Sequence, residues 1–519
     1  MNAVIVLDQP GSVTYTNLDE ISGKAIVRCT KSVDVDTIIV KLEGESRTRL
    51  LSPGGANNER PKPQLEYHKI LYKTQTVFPQ ANMTESLGPK QTFTLPPGQH
   101  EYPFKFKLPF NNSCYNNRSP LPQVSMSGAG LEFARPATRH VKKTLPPTLS
   151  GFPGEAEIRY FIKVTVTRHS FFKENARGYT PFNFIPIEAP RNPATGAEVF
   201  ARQKHAFESF ADGPPAKAKM KGFLGGKSSP SPSPVENAGP YVSVDARLPE
   251  PSILTCNSDL PLRLLVKKLN NSSDPIFLDS LQISLIGNTM IRAHEVFRKE
   301  SRSLIIMSKS NMNMPIGSSS DPIETETAID ESMWKGITLP NTLAPSFETC
   351  NLSRSYQLDI RVGLKYGGNT ASGSKPQTIV LPLRLDTQLF SGIAPPQELL
   401  TAMAEARAKP QVNPIVVSEK PTTNGRRPSR PVPPTPDTTG HSNVIPPTPI
   451  DDLPSTGFPA QPGSSTDLPP IYTDAPPSYE DAIASSLPPV NAPRPDYAPP
   501  ATGEDELLNR DEKRAWGRS

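Results

Sequence analysis

From Ile158 onward, apolar side chains fall on every second residue: Ile158, Tyr160, Ile162, Val164 and Val166, with Arg159, Lys163, Thr165 and Thr167 between them. A period of two puts one face of an extended chain in a core and the other in solvent. The same alternation runs through Tyr102, Phe104, Phe106 and Leu108 around Lys105 and Lys107, through Ile38, Val40 and Leu42, and through Leu281, Ile283 and Leu285. Its longest stretch is Tyr356, Leu358, Ile360, Val362, Leu364 and Tyr366. Clusters of Gly, Pro and Asn separate these runs and helical periodicity is nearly absent, so the pattern predicts antiparallel β-sandwiches.

Between residues 186 and 240 the pattern breaks. Ser229, Ser231 and Ser233 alternate with Pro230, Pro232 and Pro234, and glycine is frequent. Ahead of that stretch, Val199, Phe200, Gln203, Phe207 and Phe210 recur at a spacing that predicts a helix from Gly196 to Phe210, with Arg202, Lys204 and His205 on its other faces. A basic amphipathic helix can lie on an anionic membrane surface; we expect the phenylalanines instead to pack on a sandwich. The chain thus divides into a first sandwich (1–185), a linker with a helix and a Ser-Pro stretch (186–240), a second sandwich (241–392) and a tail (393–519).

Residues 401–519 hold 24 of the 62 prolines and five aromatic residues, Phe458, Tyr472, Tyr479, Tyr497 and Trp516. So few large apolar groups cannot offset the entropy of ordering, and the tail is expected to be disordered, proline-rich and accessible. Composition does not explain why each of its tyrosines follows a proline by two residues. Pro469-Pro470-Ile471-Tyr472 and Pro476-Pro477-Ser478-Tyr479 are two PPxY sequences. Paired prolines hold a polyproline II backbone before binding, so their rings stack on an aromatic groove at low entropic cost while the tyrosine fills a second pocket. Both motifs read as ligands for WW domains. Glu480-Asp481-Ala482-Ile483-Ala484 follows, with acidic residues at a helix start, and predicts a short turn that extends the contact.

Charge and composition narrow the function class. The tail carries 11 basic against 15 acidic side chains, so a chain of net charge +5 has +9 in its first 400 residues. A basic folded part suits an anionic inner leaflet or an acidic partner. No basic stripe is interleaved with aromatics, so nucleic acid is not an expected partner. No run of 18 apolar residues is present and Met1 to Asp8 stops short of a secretory core, which predicts a soluble, intracellular protein. Cys29, Cys114, Cys256 and Cys350 are scattered, with neither a CxxC pair nor a nearby histidine pattern, and predict buried reduced thiols with no metal or cofactor. GxSxG, HExxH and phosphate-loop patterns are missing from the sequence, and an enzyme is not expected.

Longer stretches carry a resemblance. Ile21-Ser22-Gly23-Lys24-Ala25-Ile26-Val27, Ile38-Ile39-Val40-Lys41-Leu42-Glu43-Gly44 and Leu95-Pro96-Pro97-Gly98-Gln99-His100-Glu101-Tyr102-Pro103-Phe104-Lys105-Phe106 resemble the arrestin N-terminal domain, as do Leu145-Pro146-Pro147-Thr148 and Ile158-Arg159-Tyr160 after them. Asn351-Leu352-Ser353-Arg354-Ser355-Tyr356 is similar to that family's C-terminal domain. With a doubled PPxY tail, the chain resembles the α-arrestins, the arrestin-related trafficking adaptors typical of fungi. Segments 196–240 and 301–335 have no counterpart in it.

The resemblance implies an all-β fold of two immunoglobulin-like β-sandwich domains, the arrestin fold, acting without catalysis. The sandwiches would contact plasma-membrane transporters or receptors, and the tail would recruit a HECT-type ubiquitin ligase through its WW domains. Ubiquitinated cargo would then enter endocytosis, and the protein would be cytoplasmic, recruited to plasma membrane and endosomes. An alternative is an arrestin-type signalling scaffold on a membrane sensor of ambient pH or nutrients. A ligase held on the tail would also reach the adaptor, and Lys217, Lys219, Lys221 and Lys227 are the candidate acceptors. Arg426-Arg427-Pro428-Ser429 suits a basophilic kinase, and Thr435 and Thr448, each in a Pro-Pro-Thr-Pro unit, suit proline-directed kinases.

Overall fold

A computed structural model of the chain describes residues 1–9, 13–53, 61–80, 92–114, 124–127, 130–133, 139–168, 175–191, 195–209, 239–367, 375–408 and 479–490. The first sandwich is built from β1 (Asn2–Leu7), β2 (Thr14–Tyr15), β3 (Glu20–Cys29), β4 (Val33–Val35), β5 (Thr37–Leu51), β6 (Pro63–Phe78), β7 (Phe93–Leu95), β8 (Gly98–Lys107), β9 (Val124–Ser127), β10 (Gly130–Phe133), β11 (Leu149–Phe152), β12 (Ala156–Thr167) and β13 (Ala176–Phe184). One sheet runs β1-β3-β8 and the other β2-β13-β12-β5-β6, with β11 on β12. Smaller ladders join β4 to β7 and β9 to β10.

The second sandwich comprises β14 (Glu198–Ala206), β15 (Tyr241–Pro249), β16 (Ile253–Thr255), β17 (Arg263–Lys268), β18 (Ile276–Ala293), β19 (Val296–Lys309), β20 (Met314–Ile316), β21 (Glu326–Ala328), β22 (Phe347–Glu348), β23 (Leu352–Tyr366) and β24 (Gln377–Phe390). Its sheets run β14-β15-β17-β21 and β16-β24-β23-β18-β19, with β20 on β18 and β22 on β23. The pairing is antiparallel throughout both sandwiches except for β2 with β13 and β16 with β24. Both halves are all-β sandwiches of two sheets, the architecture that the resemblance implies.

The period-two runs are the centres of these sheets. Ile158, Tyr160, Ile162, Val164 and Val166 of β12 are at most 1 % exposed and enter the first core. Leu281, Ile283 and Leu285 of β18 and Leu358, Ile360 and Val362 of β23 fill the second. Segment 301–335, which the resemblance left without a counterpart, contributes β20, β21 and Trp334 to this sandwich. The indole is fully buried and donates from Nε1 to the Leu262 carbonyl at 3.2 Å.

Each sandwich is latched by a tyrosine facing a glycine. Tyr160 lies opposite Gly44 across the β12–β5 ladder, and Tyr356 opposite Gly287 across β23–β18. A Cβ at Gly44 would come within 2.7 Å of the Tyr160 ring, and one at Gly287 within 3.0 Å of the Tyr356 ring. Only a missing side chain leaves room for either ring. Tyr160 Oη then donates to the Pro146 carbonyl at 2.7 Å, and Tyr356 Oη to the Ala344 carbonyl. The two halves of the chain thus repeat one device, and the Leu145-Pro146-Pro147-Thr148 stretch owes its place to it.

Two expectations are corrected. The segment from Gly196 to Phe210 is not a helix: β14 pairs in antiparallel register with β15 from Glu198 opposite Pro249 to Ala206 opposite Tyr241. Val199 and Ala201 rest on the second core and Phe207 enters it, its ring 5.4 Å from that of Tyr366, whereas Phe200 is 56 % exposed. Those apolar positions also satisfy a period of two, and the open edge of β15 supplies a ladder that outweighs weak local helical preference. The packing expected of Phe207 therefore occurs, but directly after a strand and not on a helix, and the second sandwich begins within the segment read as a linker. Phe210 and residues 211–238 lie outside the described residues.

The region read as tail is also partly folded. Ile393 is fully buried, and the helix Gln397–Ala408 places Leu399 in the first core and buries Ala402, with Met403 packed against that core. Leu399, Ala402 and Met403 stand at helical spacing, three and four residues apart, and so share one face.

Candidate functional site

Of the residues read as WW ligands, Pro469, Pro470, Tyr472, Pro476 and Pro477 lie outside the described residues, as do Lys217, Lys219, Lys221, Lys227, Ser429, Thr435 and Thr448. Tyr479, the last residue of the second PPxY motif, opens the helix Tyr479–Ser486, so the turn foreseen after it is a helix of two turns. Ala484, 1 % exposed, and Val490 join the first core, and Leu487 packs against it.

Lys107 from the end of β8 fastens this helix. Its Nζ donates to the Ser485 carbonyl at 2.8 Å and to the Leu487 carbonyl. The last carbonyls of a helix have no partner within it and carry its negative dipole end, so an ammonium there satisfies both. Burial pushes the Lys107 amine below the ordinary lysine value, against a weaker opposing pull from Glu20. The period-two pattern marked Lys107 only as a solvent-facing residue of a strand.

A second concentration of polar contacts joins the two sandwiches. Ser46 of β5 donates to Asn351 Oδ1 at 2.7 Å, Thr48 to the Arg292 carbonyl at 2.5 Å, and Asn351 Nδ2 to Thr48 Oγ1 at 3.1 Å. Arg292, at the end of β18, donates from Nη2 to Glu66 Oε1 at 2.5 Å and to the Cys350 carbonyl at 2.8 Å. The His294 amide donates to Glu66 Oε2 at 2.6 Å, closing the turn between β18 and β19 over β6. Glu66 has no exposed surface. Burial opposes its ionisation most strongly, yet hydrogen bonds from His68 and the His294 amide, with the charges of His68 and Arg292, hold its carboxyl below the usual range. Apolar residues close the same seam: Ile291, Ala293, Ala344, Cys350 and Leu352 from the second half belong to the first core.

The seam also gathers groups that the sequence scatters. Cys114 Sγ lies 3.5 Å from Cys350 Sγ, 3.2 Å from His68 Nδ1 and 3.3 Å from His140 Nδ1. All four cysteines are buried, as expected, but the reading that no histidine stands near them is corrected. Two loops and two sandwiches bring these residues together, and no local spacing records that. His68 turns its other nitrogen, Nε2, to Glu66 Oε1 at 2.7 Å. Within the thiol pair, the Cys114 hydrogen bond, joined by His68, holds Cys350 far below the ordinary thiol value, while Cys114, bonded to Cys350 and buried, is pushed far up.

The remaining sequence candidates concern the basic face of β14. Arg202 is not free for a membrane surface: its guanidinium is paired with Asp245 and lies over the exposed Phe200 ring. Among the described residues no helix is long and apolar enough to cross a membrane.

Comparison with known proteins agrees with this geometry. Residues 3–116 match the N-terminal domain of arrestin (or S-antigen). A protein of Lachancea thermotolerans named arrestin-related trafficking adapter 10 is 28% identical over 223 residues, covering 38% of this chain and 52% of that protein. A Candida glabrata protein of the same name is 32% identical over 113 residues, 20% of this chain and 22% of its own length. The chain therefore spans about half the length of the first of these relatives and less of the second.

Proposed function

We propose that this chain, whose first sandwich matches the N-terminal domain of arrestin, is a non-enzymatic trafficking adaptor linking plasma-membrane transporters or receptors to a WW-domain ubiquitin ligase of the HECT type. One observation carries the reading. The second PPxY motif runs directly into a helix fastened on the first sandwich by Lys107, Ala484 and Val490. A ligase bound there is held beside a rigid β surface able to carry cargo. Similarity to proteins named as arrestin-related trafficking adapters supports the same role.

On this reading the adaptor resides in the cytoplasm, is drawn to the plasma membrane and endosomes by cargo, and promotes ubiquitination and endocytosis. The bound ligase also modifies the adaptor at Lys217, Lys219, Lys221 or Lys227, and phosphate on Ser429, Thr435 or Thr448 adds charge to an acidic tail. Two motifs seven residues apart give a multi-WW ligase a second, intramolecular contact, so the pair binds well beyond either alone. The test is a titration of the full-length chain with an isolated array of WW domains. Tyr472→Ala and Tyr479→Ala are each expected to weaken binding, and the double variant to abolish it. Undiminished affinity in the double variant would reject the adaptor reading.

A further inference from the structure

We propose that His68, Cys114, His140 and Cys350 form a structural zinc site that staples the two sandwiches together. The four donor atoms, two imidazole Nδ1 and two Sγ, lie within 4.8 Å of one another. Cys114 Sγ stands 3.2, 3.3 and 3.5 Å from the other three. Zinc–sulfur bonds near 2.3 Å and zinc–nitrogen bonds near 2.1 Å set the corners of a tetrahedral site roughly 3.3 to 3.8 Å apart. Contraction of the widest separation by about 1 Å closes that tetrahedron.

The surroundings are those of a ligand set. A metal-bound histidine ordinarily gives its second N–H to a carboxylate, which fixes the tautomer and turns the free lone pair toward the ion. His68 does this with Glu66, which is held in turn by Arg292 and the His294 amide. Cys350 Sγ accepts a hydrogen bond from the Val141 amide at 3.2 Å, a contact that favours a thiolate. His68, Cys114 and Cys350 are buried, while His140 is exposed and leaves a route for the ion from solvent. Thiolates with imidazoles in a tetrahedral set select zinc over the oxygen-seeking cations. The thiol protons leave to solvent as the ion binds. A Cys114–Cys350 disulfide would need neither imidazole. Three ligands come from the first half of the chain and Cys350 from the second, so the ion would bridge the seam. This assignment is independent of the adaptor reading.

The test uses the full-length chain purified under reducing conditions and dialysed against buffered zinc. Elemental analysis is expected to give about one zinc per chain, and cobalt(II) in its place should show the intense visible absorption of a tetrahedral thiolate site. His140→Ala removes an exposed ligand that is not itself a member of either core; it should keep the parent's circular dichroism and bind zinc at least tenfold more weakly. Glu66→Gln should weaken binding by about 10–100-fold. A chelator should lower the melting temperature of the parent but not of His140→Ala. A reduced chain without zinc, iron in place of zinc, an octahedral cobalt spectrum, or a Cys114–Cys350 disulfide in freshly isolated protein would each overturn the proposal.

Discussion

Arg202 and Asp245 meet across the β14–β15 ladder in a two-pronged pair, Nε to Oδ1 at 2.7 Å and Nη2 to Oδ2 at 2.6 Å. Arg247 adds a third bond to the same carboxylate, Ser243 donates to it at 3.3 Å, and Glu326 and Glu198 lie beyond Arg247. Burial is the largest influence on Asp245 and opposes its charge, but the hydrogen bonds and charges of Arg202 and Arg247 outweigh it and depress the carboxyl. A carboxyl depressed in the folded state stabilises above its unfolded pKa of about 3.9, and that stability is lost as pH falls through the lower folded value. Asp245→Asn should therefore melt below the parent at pH 7, with the difference shrinking below about pH 4. An equal difference at pH 7 and pH 3 in parallel thermal melts would contradict this.

The seam carries a second expectation. Arg292→Met leaves the Glu66 carboxylate buried beside His68 and without its guanidinium, a loss of about 3–5 kcal/mol. Adding Glu66→Gln removes the stranded charge and should restore part of it. The ion pair of Arg298 with Glu155 also bridges the sandwiches but stands at the surface, with 48% and 35% of the side chains exposed, so Arg298→Ala should barely move the transition. Denaturant titration of the three variants checks the order.

Phe200 on β14 and Phe207 just past its end separate exposure from burial. Phe207→Ala should cost about 3–5 kcal/mol by opening the second core. Phe200→Ala should change stability little, because the ring is 56 % exposed. Equal losses for the two in thermal unfolding would reject the strand register.

Ala484→Asp places a charge in the first core and should release the tail helix while leaving the sandwiches folded. Hydrogen exchange would report this as faster exchange across residues 479–490 and no change in β12 or β23. Exchange at free-peptide rates over 479–490 in the parent would show that the helix is not fastened.

The strands were legible because period two repeats wherever a sheet face is buried, as from Ile158 to Val166. Residues 196–210 were not, since Val199 and Phe207 satisfy helical and extended spacing alike and the choice falls to the edge of β15. Asn351 was singled out by resemblance, yet its task, bonding Ser46 and Thr48, belongs to a seam between residues some 300 positions apart. The thiol–imidazole cluster left a fainter trace. Glu66 and His68 alternate with Ile70 on the inward face of β6, and polar residues at core-facing positions are the sign that something there must hold them.

Ile291, Ala293, Ala344, Cys350, Leu352, Ile393, Leu399, Ala484 and Val490 complete a core whose other members precede residue 188. On a ribosome, the first sandwich would be finished in sequence well before these residues emerge. At roughly 5–20 residues per second, the interval from Ile187 to Leu399 is about 10 to 40 seconds. During it the nascent first half presents an uncovered apolar seam, and that half should depend on a chaperone until its own later sequence arrives to cover it.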